Sequence, residues 1–186
     1  MDPEDVLSLN GDFRQSLLLD TARRLQGLFT AEGIPYVIIG GLAVVRNGAV
    51  RTTIDVDVLL RREDWPRARA SLSSAFETGA ERAKDRSNGV EVDFLFSGSL
   101  PDPSAQSEYD ERLGANFLNL QGILELKTAV YLQKKREEGI EVAAKDLADV
   151  VSLIRANSAA LGSELLNSLN PAVRKELRRI VKKIRA

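Results

Sequence analysis

Two aspartates stand at i and i+2 in the apolar run Ile54-Asp55-Val56-Asp57-Val58-Leu59-Leu60. On a strand such residues leave the same face roughly 6 to 7 Å apart, so their carboxylates can share divalent cations. Ile54, Val56 and Val58 take the opposite parity and are expected to pack a core that holds the acids rigid. A second acidic run follows at Val90 to Phe96, where Val90, Val92, Phe94 and Phe96 take one parity and Glu91 and Asp93 the other. Parity alone leaves both Glu91 and Asp93 as candidates for a third acid. Upstream, Gly40-Gly41 closes the apolar run Tyr36-Val37-Ile38-Ile39 and precedes Asp55 by a spacer of thirteen residues. Glycines let a backbone approach a phosphate closely, and N–H groups opening the next helix suit an anion. A lone diglycine is commonly a tight turn, and a lone Asp-Val-Asp is as readily a solvated strand face. Their ordered occurrence is much rarer than either.

Composition narrows the chemistry. The chain has no cysteine and no histidine. Disulfides, thiolate nucleophiles, serine-histidine triads and cysteine-ligated zinc or iron-sulfur clusters are therefore excluded. Carboxylates, lysine, arginine, hydroxyls and backbone remain, a set suited to a hard cation held by oxygen. At 186 residues the chain is long enough for one well-buried domain with an appendage. No segment approaches the roughly 20 apolar residues needed to cross a bilayer, and the start, MDPEDVLSLNGDF, lacks the basic and apolar regions of a secretory signal. A cytoplasmic protein is expected. The net charge of −1 hides an uneven distribution, because residues 171–186 carry seven basic side chains against the single acid Glu176.

The elements that must carry these residues follow from periodicity and breakers. Residues 12–31 show apolar side chains at helical spacing, stopped by Gly33 and Pro35. Tyr36 to Ile39 and Ile54 to Leu60 are predicted strands, separated by a short helix from Gly41 to Arg46 that Asn47-Gly48 closes. Glu63 to Phe76 is predicted helical, with Pro66 in its first turn. The signal Ser87-Asn88-Gly89 predicts a hairpin joining 81–85 to 90–96. A loop is expected over 97–103 and a short strand over 116–120. Helices are expected over 121–138, 142–156, 163–169 and 171–185. The fold class is α+β, a small twisted mixed sheet flanked by helices, with residues 1–120 as the core and residues 121–186 as a C-terminal helical region packed on it.

The ordered series of strand, Gly40-Gly41, short helix, Arg51-Thr52-Thr53, Asp55-Val56-Asp57 and a later acidic strand resembles the nucleotidyltransferase superfamily related to DNA polymerase beta. The resemblance extends to abortive-infection toxin-type and small antibiotic nucleotidyltransferases. There an arginine and a threonine precede the acids, as Arg51 and Thr53 do, a helical lysine follows like Lys127, and a lysine-aspartate pair opens another helix like Lys145-Asp146. The match spans about positions 17 to 155, and its lysine part is the less specific one.

This resemblance implies that Asp55 and Asp57 ligate magnesium, two ions in all, and favours Asp93 over Glu91 as the third acid, completing the metal site or deprotonating the acceptor hydroxyl. It implies that Gly40, Gly41, Arg51, Thr53, Lys127 and Lys145 contact a nucleoside triphosphate such as ATP. The expected activity is transfer of a nucleoside monophosphate to a hydroxyl on RNA or tRNA, a protein or a small molecule, releasing pyrophosphate. A toxin-type enzyme would have a cognate antitoxin, and the basic final helix would be its contact to tRNA. The alternative is a nucleotide-binding or partner-binding module of the same fold without catalysis.

Overall fold

The computed structural model describes residues 13–97 and 106–185. It contains α1 (Phe13–Ala31), β1 (Tyr36–Ile38), α2 (Gly40–Arg46), β2 (Asp55–Arg61), a 3-10 turn (Arg62–Asp64), α3 (Trp65–Leu72), β3 (Phe76–Thr78), β4 (Arg82–Asp85) and β5 (Glu91–Ser97). After the undescribed stretch come β6 (Ser107–Asp110), β7 (Ala115–Leu118), α4 (Leu120–Glu137), α5 (Ile140–Ala156), α6 (Ser163–Ser168) and α7 (Pro171–Arg185).

The strands form one seven-stranded sheet in the order β3-β4-β5-β2-β1-β7-β6. It is mixed: β2 pairs parallel with β5 and antiparallel with β1, and β1 pairs parallel with β7. The central place of β2 follows from its composition. Val56, Val58, Leu59 and Leu60 are all at most 1% exposed, so the end of the strand is covered on both faces. Trp65 of α3 and Phe29 of α1 pack their rings against Phe94, with centroids 4.7 and 6.5 Å away. Because Phe94 and Asp93 have opposite parity, α1 and α3 cover the face opposite the acids, and α4 lies over the acidic one.

Most expected elements are present, with four differences that have physical causes. Ile54 precedes β2 and is 65% exposed, so only Val56 and Val58 of the alternating set reach the core. The helix expected to reach Phe76 ends at Leu72, and Phe76 opens β3, where it pairs with Asp85 and buries its ring. The strand expected to reach Leu120 stops at Leu118 because Asn119 caps α4, its side chain accepting from the Gly122 N–H at 2.9 Å. The edge strands β3 and β6 are not among the expected strands: Phe76 continues the apolar spacing of the helix before it, and Ser107-Glu108-Tyr109-Asp110 has no apolar run. Of the loop expected over 97–103, Ser97 ends β5 and the remainder lies outside the described residues.

Among the described residues no helix is long and apolar enough to cross a membrane. In the final helix, Val173, Leu177 and Ile180 are buried while Lys175, Arg178, Lys182 and Lys183 are exposed, as its helical spacing predicts.

Candidate functional site

Parallel pairing of β2 with β5 sets Asp57 beside Asp93 and Asp55 beside Glu91. Asp55, Asp57 and Asp93 each offer one carboxylate oxygen within 4.8 Å of the others, and all three residues are half-buried. Glu91 is exposed and outside this group. Register and exposure therefore group Asp93, and not Glu91, with the pair on β2, a distinction that parity could not make. The Asp57 carboxyl is pushed above the usual aspartate range. Burial is the main cause and the neighbouring Asp55 charge the next, with Asp93 adding to it, while Lys127 and Arg51 oppose the shift without cancelling it. An oxygen-only donor set whose members repel one another fits a hard divalent cation such as magnesium.

The glycine pair has a structural role that its position in the sequence did not reveal. Gly40 has φ +62°, and a Cβ there would lie 1.7 Å from Asp57 Oδ2. A Cβ on Gly41 would lie 2.3 Å from Thr53 Oγ1. The bend after β1 is therefore the surface on which the Asp57 carboxylate and the Thr53 side chain rest. The two strands are also tied by the Ile39 N–H, which donates to the Asp57 carbonyl at 2.9 Å. Thr53 is buried, and its hydroxyl donates to Asp55 Oδ1 at 2.9 Å, fixing the first acid from behind.

A cleft of about 290 Å³ opens over Asp55 and Asp57. Its lining also includes Ile39 and Gly40, the apolar side chains of Leu95, Leu126 and Val130, and the cations Arg51, Lys127, Lys134 and Lys145. Two buried acids of α5 hold most of these cations. Lys127 Nζ lies 3.0 Å from Asp146 Oδ1 and 2.9 Å from Asp149 Oδ2. Arg51 reaches Asp149 Oδ2 at 2.8 Å, and Lys134 reaches Asp146 Oδ2 at 2.8 Å. For Asp146, burial alone would favour the neutral acid. The hydrogen bonds and charges of Lys134 and Lys127 outweigh burial and hold its carboxyl below the usual range.

Of the nucleotide-contact candidates, Gly40, Arg51, Lys127 and Lys145 line the cleft, whereas Gly41 and Thr53 lie buried behind it. Lys145 is exposed and makes no hydrogen bond or ion pair among the described residues. Its sequence neighbour Asp146 does not position it, because adjacent helical residues point about 100° apart and Asp146 turns inward to Lys127 and Lys134.

Sequence reasoning missed Lys134, Asp149 and Arg82. Lys134 lies seven residues after Lys127 and Asp149 three after Asp146, spacings that keep each pair on one helix face. Arg82 lies opposite Asp93 in the β4–β5 hairpin, and its Nε approaches Asp93 Oδ1 to 2.8 Å. The Asn88-Gly89 turn carried that signal, since fixing the turn fixes which residues face each other.

No family model matches the chain, and no curated protein matches it. Solved structures do. An antigenic nucleotidyltransferase-like protein from Paracoccidioides brasiliensis is 20% identical, with a TM-score of 0.60 over 89% of this chain and 88% of that one. The antibiotic-resistance factor ANT(2″)-Ia is 10% identical in its solution structure, with a TM-score of 0.58 over 91% of this chain and 96% of that one. Its crystal structure in complex with adenylyl-2″-tobramycin is 12% identical, with a TM-score of 0.56 over 87% of this chain and 97% of that one. With the architecture shared over most of both chains in each comparison, this protein has the nucleotidyltransferase fold.

Proposed function

We propose that the protein is a metal-dependent nucleotidyltransferase, moving a nucleoside monophosphate from a nucleoside triphosphate to an acceptor hydroxyl. The observation that carries this reading is the convergence of Asp55, Asp57 and Asp93 beside a cleft that Asp55 and Asp57 line together with the cations Arg51, Lys127, Lys134 and Lys145. Carboxylates and cations brought together at one cleft suit a substrate that arrives as an anion with divalent metal attached. In the reaction the acceptor oxygen attacks the α-phosphorus, the bond from that phosphorus to the bridging oxygen breaks, and pyrophosphate leaves. Magnesium, when bound, supplies the charge neutralisation on the attacking and leaving oxygens.

The chain's own residues divide the work. Asp55 and Asp57 would hold the metal, with Asp55 aimed by Thr53 and Asp57 seated on Gly40. Asp93 completes the acid group and would take the acceptor's proton. Lys145, exposed and unpaired at the cleft, is the cation most available to the triphosphate. Arg51, Lys127 and Lys134 face the same cleft while Asp146 and Asp149 neutralise them. An entering triphosphate would share these cations with the two acids.

The test is to incubate the protein and magnesium with each α-labelled nucleoside triphosphate and separated cellular RNA, protein and small-molecule fractions. Label appearing in one fraction, with pyrophosphate released in equal amount, supports the reading and identifies the acceptor class. Nucleotide binding without label transfer to any fraction would overturn it.

A further inference from the structure

Arg82 has no part in the chemistry set out above. Its place on β4 puts it directly opposite Asp93 of β5, with its Nε 2.8 Å from Asp93 Oδ1. The arginine side chain is 76% exposed while that of Asp93 is 32% exposed, so the pair sits where the acid group meets solvent. Exposed ion pairs contribute little to folding. The next pair along the same strands, Lys84 and Glu91, matches opposite charges in the same way but lies outside the acid group. Arg82 also lines a shallow groove on the outer strands with Glu77, Lys84 and Glu91.

We propose that Arg82 is a positioning residue for Asp93: it fixes that carboxylate in the metal-free protein and competes with an incoming divalent cation for its charge. The inference rests on reading the three aspartates as a metal site. A guanidinium against one oxygen restricts rotation of the carboxylate and leaves the other oxygen to face a cation or accept a proton. Its positive charge also repels a doubly charged ion a few ångströms away. Arg82 therefore weakens cation binding and improves the aim of Asp93, two effects that separate in variants. Arg82→Ala removes both. Arg82→Lys keeps the charge but loses the planar fork that fixes the angle.

The experiment is calorimetric titration of Mn²⁺ into the full chain as wild type, Arg82→Ala, Arg82→Lys and Asp57→Asn, with thermal melts and pyrophosphate-release kinetics on the same samples. Arg82→Ala is expected to bind Mn²⁺ roughly tenfold more tightly at low ionic strength, with the gain shrinking in 1 M salt. Its kcat is expected to fall with KM for the nucleotide unchanged, and its metal-free melting temperature to stay within about 2 °C of wild type. Arg82→Lys is expected to restore wild-type Mn²⁺ affinity without restoring kcat. Wild-type Mn²⁺ affinity in Arg82→Ala, together with lost binding in Asp57→Asn, would overturn the role of Arg82 and leave the metal site standing. No Mn²⁺ binding by the wild type would overturn the metal-site reading and this inference with it.

Discussion

Gly40 has no room for a side chain, because the carboxylate of Asp57 occupies the volume that a Cβ would need. Gly40→Ala is therefore expected to displace Asp57 and also to place an alanine at φ +62°, which costs about 1–2 kcal/mol by itself. Circular dichroism melts would show the loss of stability, and Mn²⁺ titration the loss of the site. Asp57→Asn should behave in the opposite way. The Asp57 carboxyl is raised by burial first and by the charges of Asp55 and Asp93 next, and a neutral amide relieves both, so the metal-free melting temperature should hold or rise while transfer is lost. A marked fall in the melting temperature of that variant would show that Asp57 is mainly a structural residue. The two predictions also mark what the sequence disclosed at this scale. The acids and glycines were legible as types at a spacing. That the glycines accommodate Asp57 and Thr53 was not, because the contact depends on how two strands distant from a local turn lie against each other.

The strand register and the α4–α5 pair turn those residues into a site. The parity of β2 and β5 was legible, since Val56, Val58, Val92 and Phe94 are buried on the side away from the acids. Parallel pairing was not, because it depends on a crossover that no local signal specifies. For the same reason Phe76 read as the end of a helix: its apolar side chain continues the helical spacing, and only pairing with Asp85 reveals β3. Across α4 and α5, Asp146 is buried and receives Lys127 and Lys134, which hold its carboxyl below the usual range. A carboxyl whose folded-state pKa is depressed contributes stability that is present above its unfolded pKa and is lost as pH falls through the folded one. Asp146→Asn should therefore cost about 1–3 kcal/mol at neutral pH. The difference from wild type should fade below the ordinary aspartate range, near pH 4. Urea denaturation at a series of pH values would check both the size and the sign. A gap that widened on acidification would contradict the assignment.

At the scale of the whole molecule, α7 docks against α4 and α5, the helices that bring Lys127, Lys134 and Lys145 to the cleft. Leu177 is fully buried in that contact, and Leu177→Ala should cost about 2–4 kcal/mol. Because the contact supports α4 and α5, the same variant should raise KM for the nucleotide before the sheet itself unfolds, which steady-state kinetics below the melting transition would reveal. The amphipathic pattern of this helix was readable from spacing alone. The elements it packs against were not, because nothing in residues 171–185 names a partner. The proposed function makes three aspartates from two neighbouring strands the metal-dependent centre of nucleotidyl transfer. It is tested most directly by pyrophosphate release from nucleoside triphosphates in a cell extract, comparing wild type with Asp57→Asn at equal folded concentration. Release is expected to require a divalent cation and to fall by on the order of 10²–10⁴-fold in the variant. Release at the wild-type rate from Asp57→Asn would contradict it.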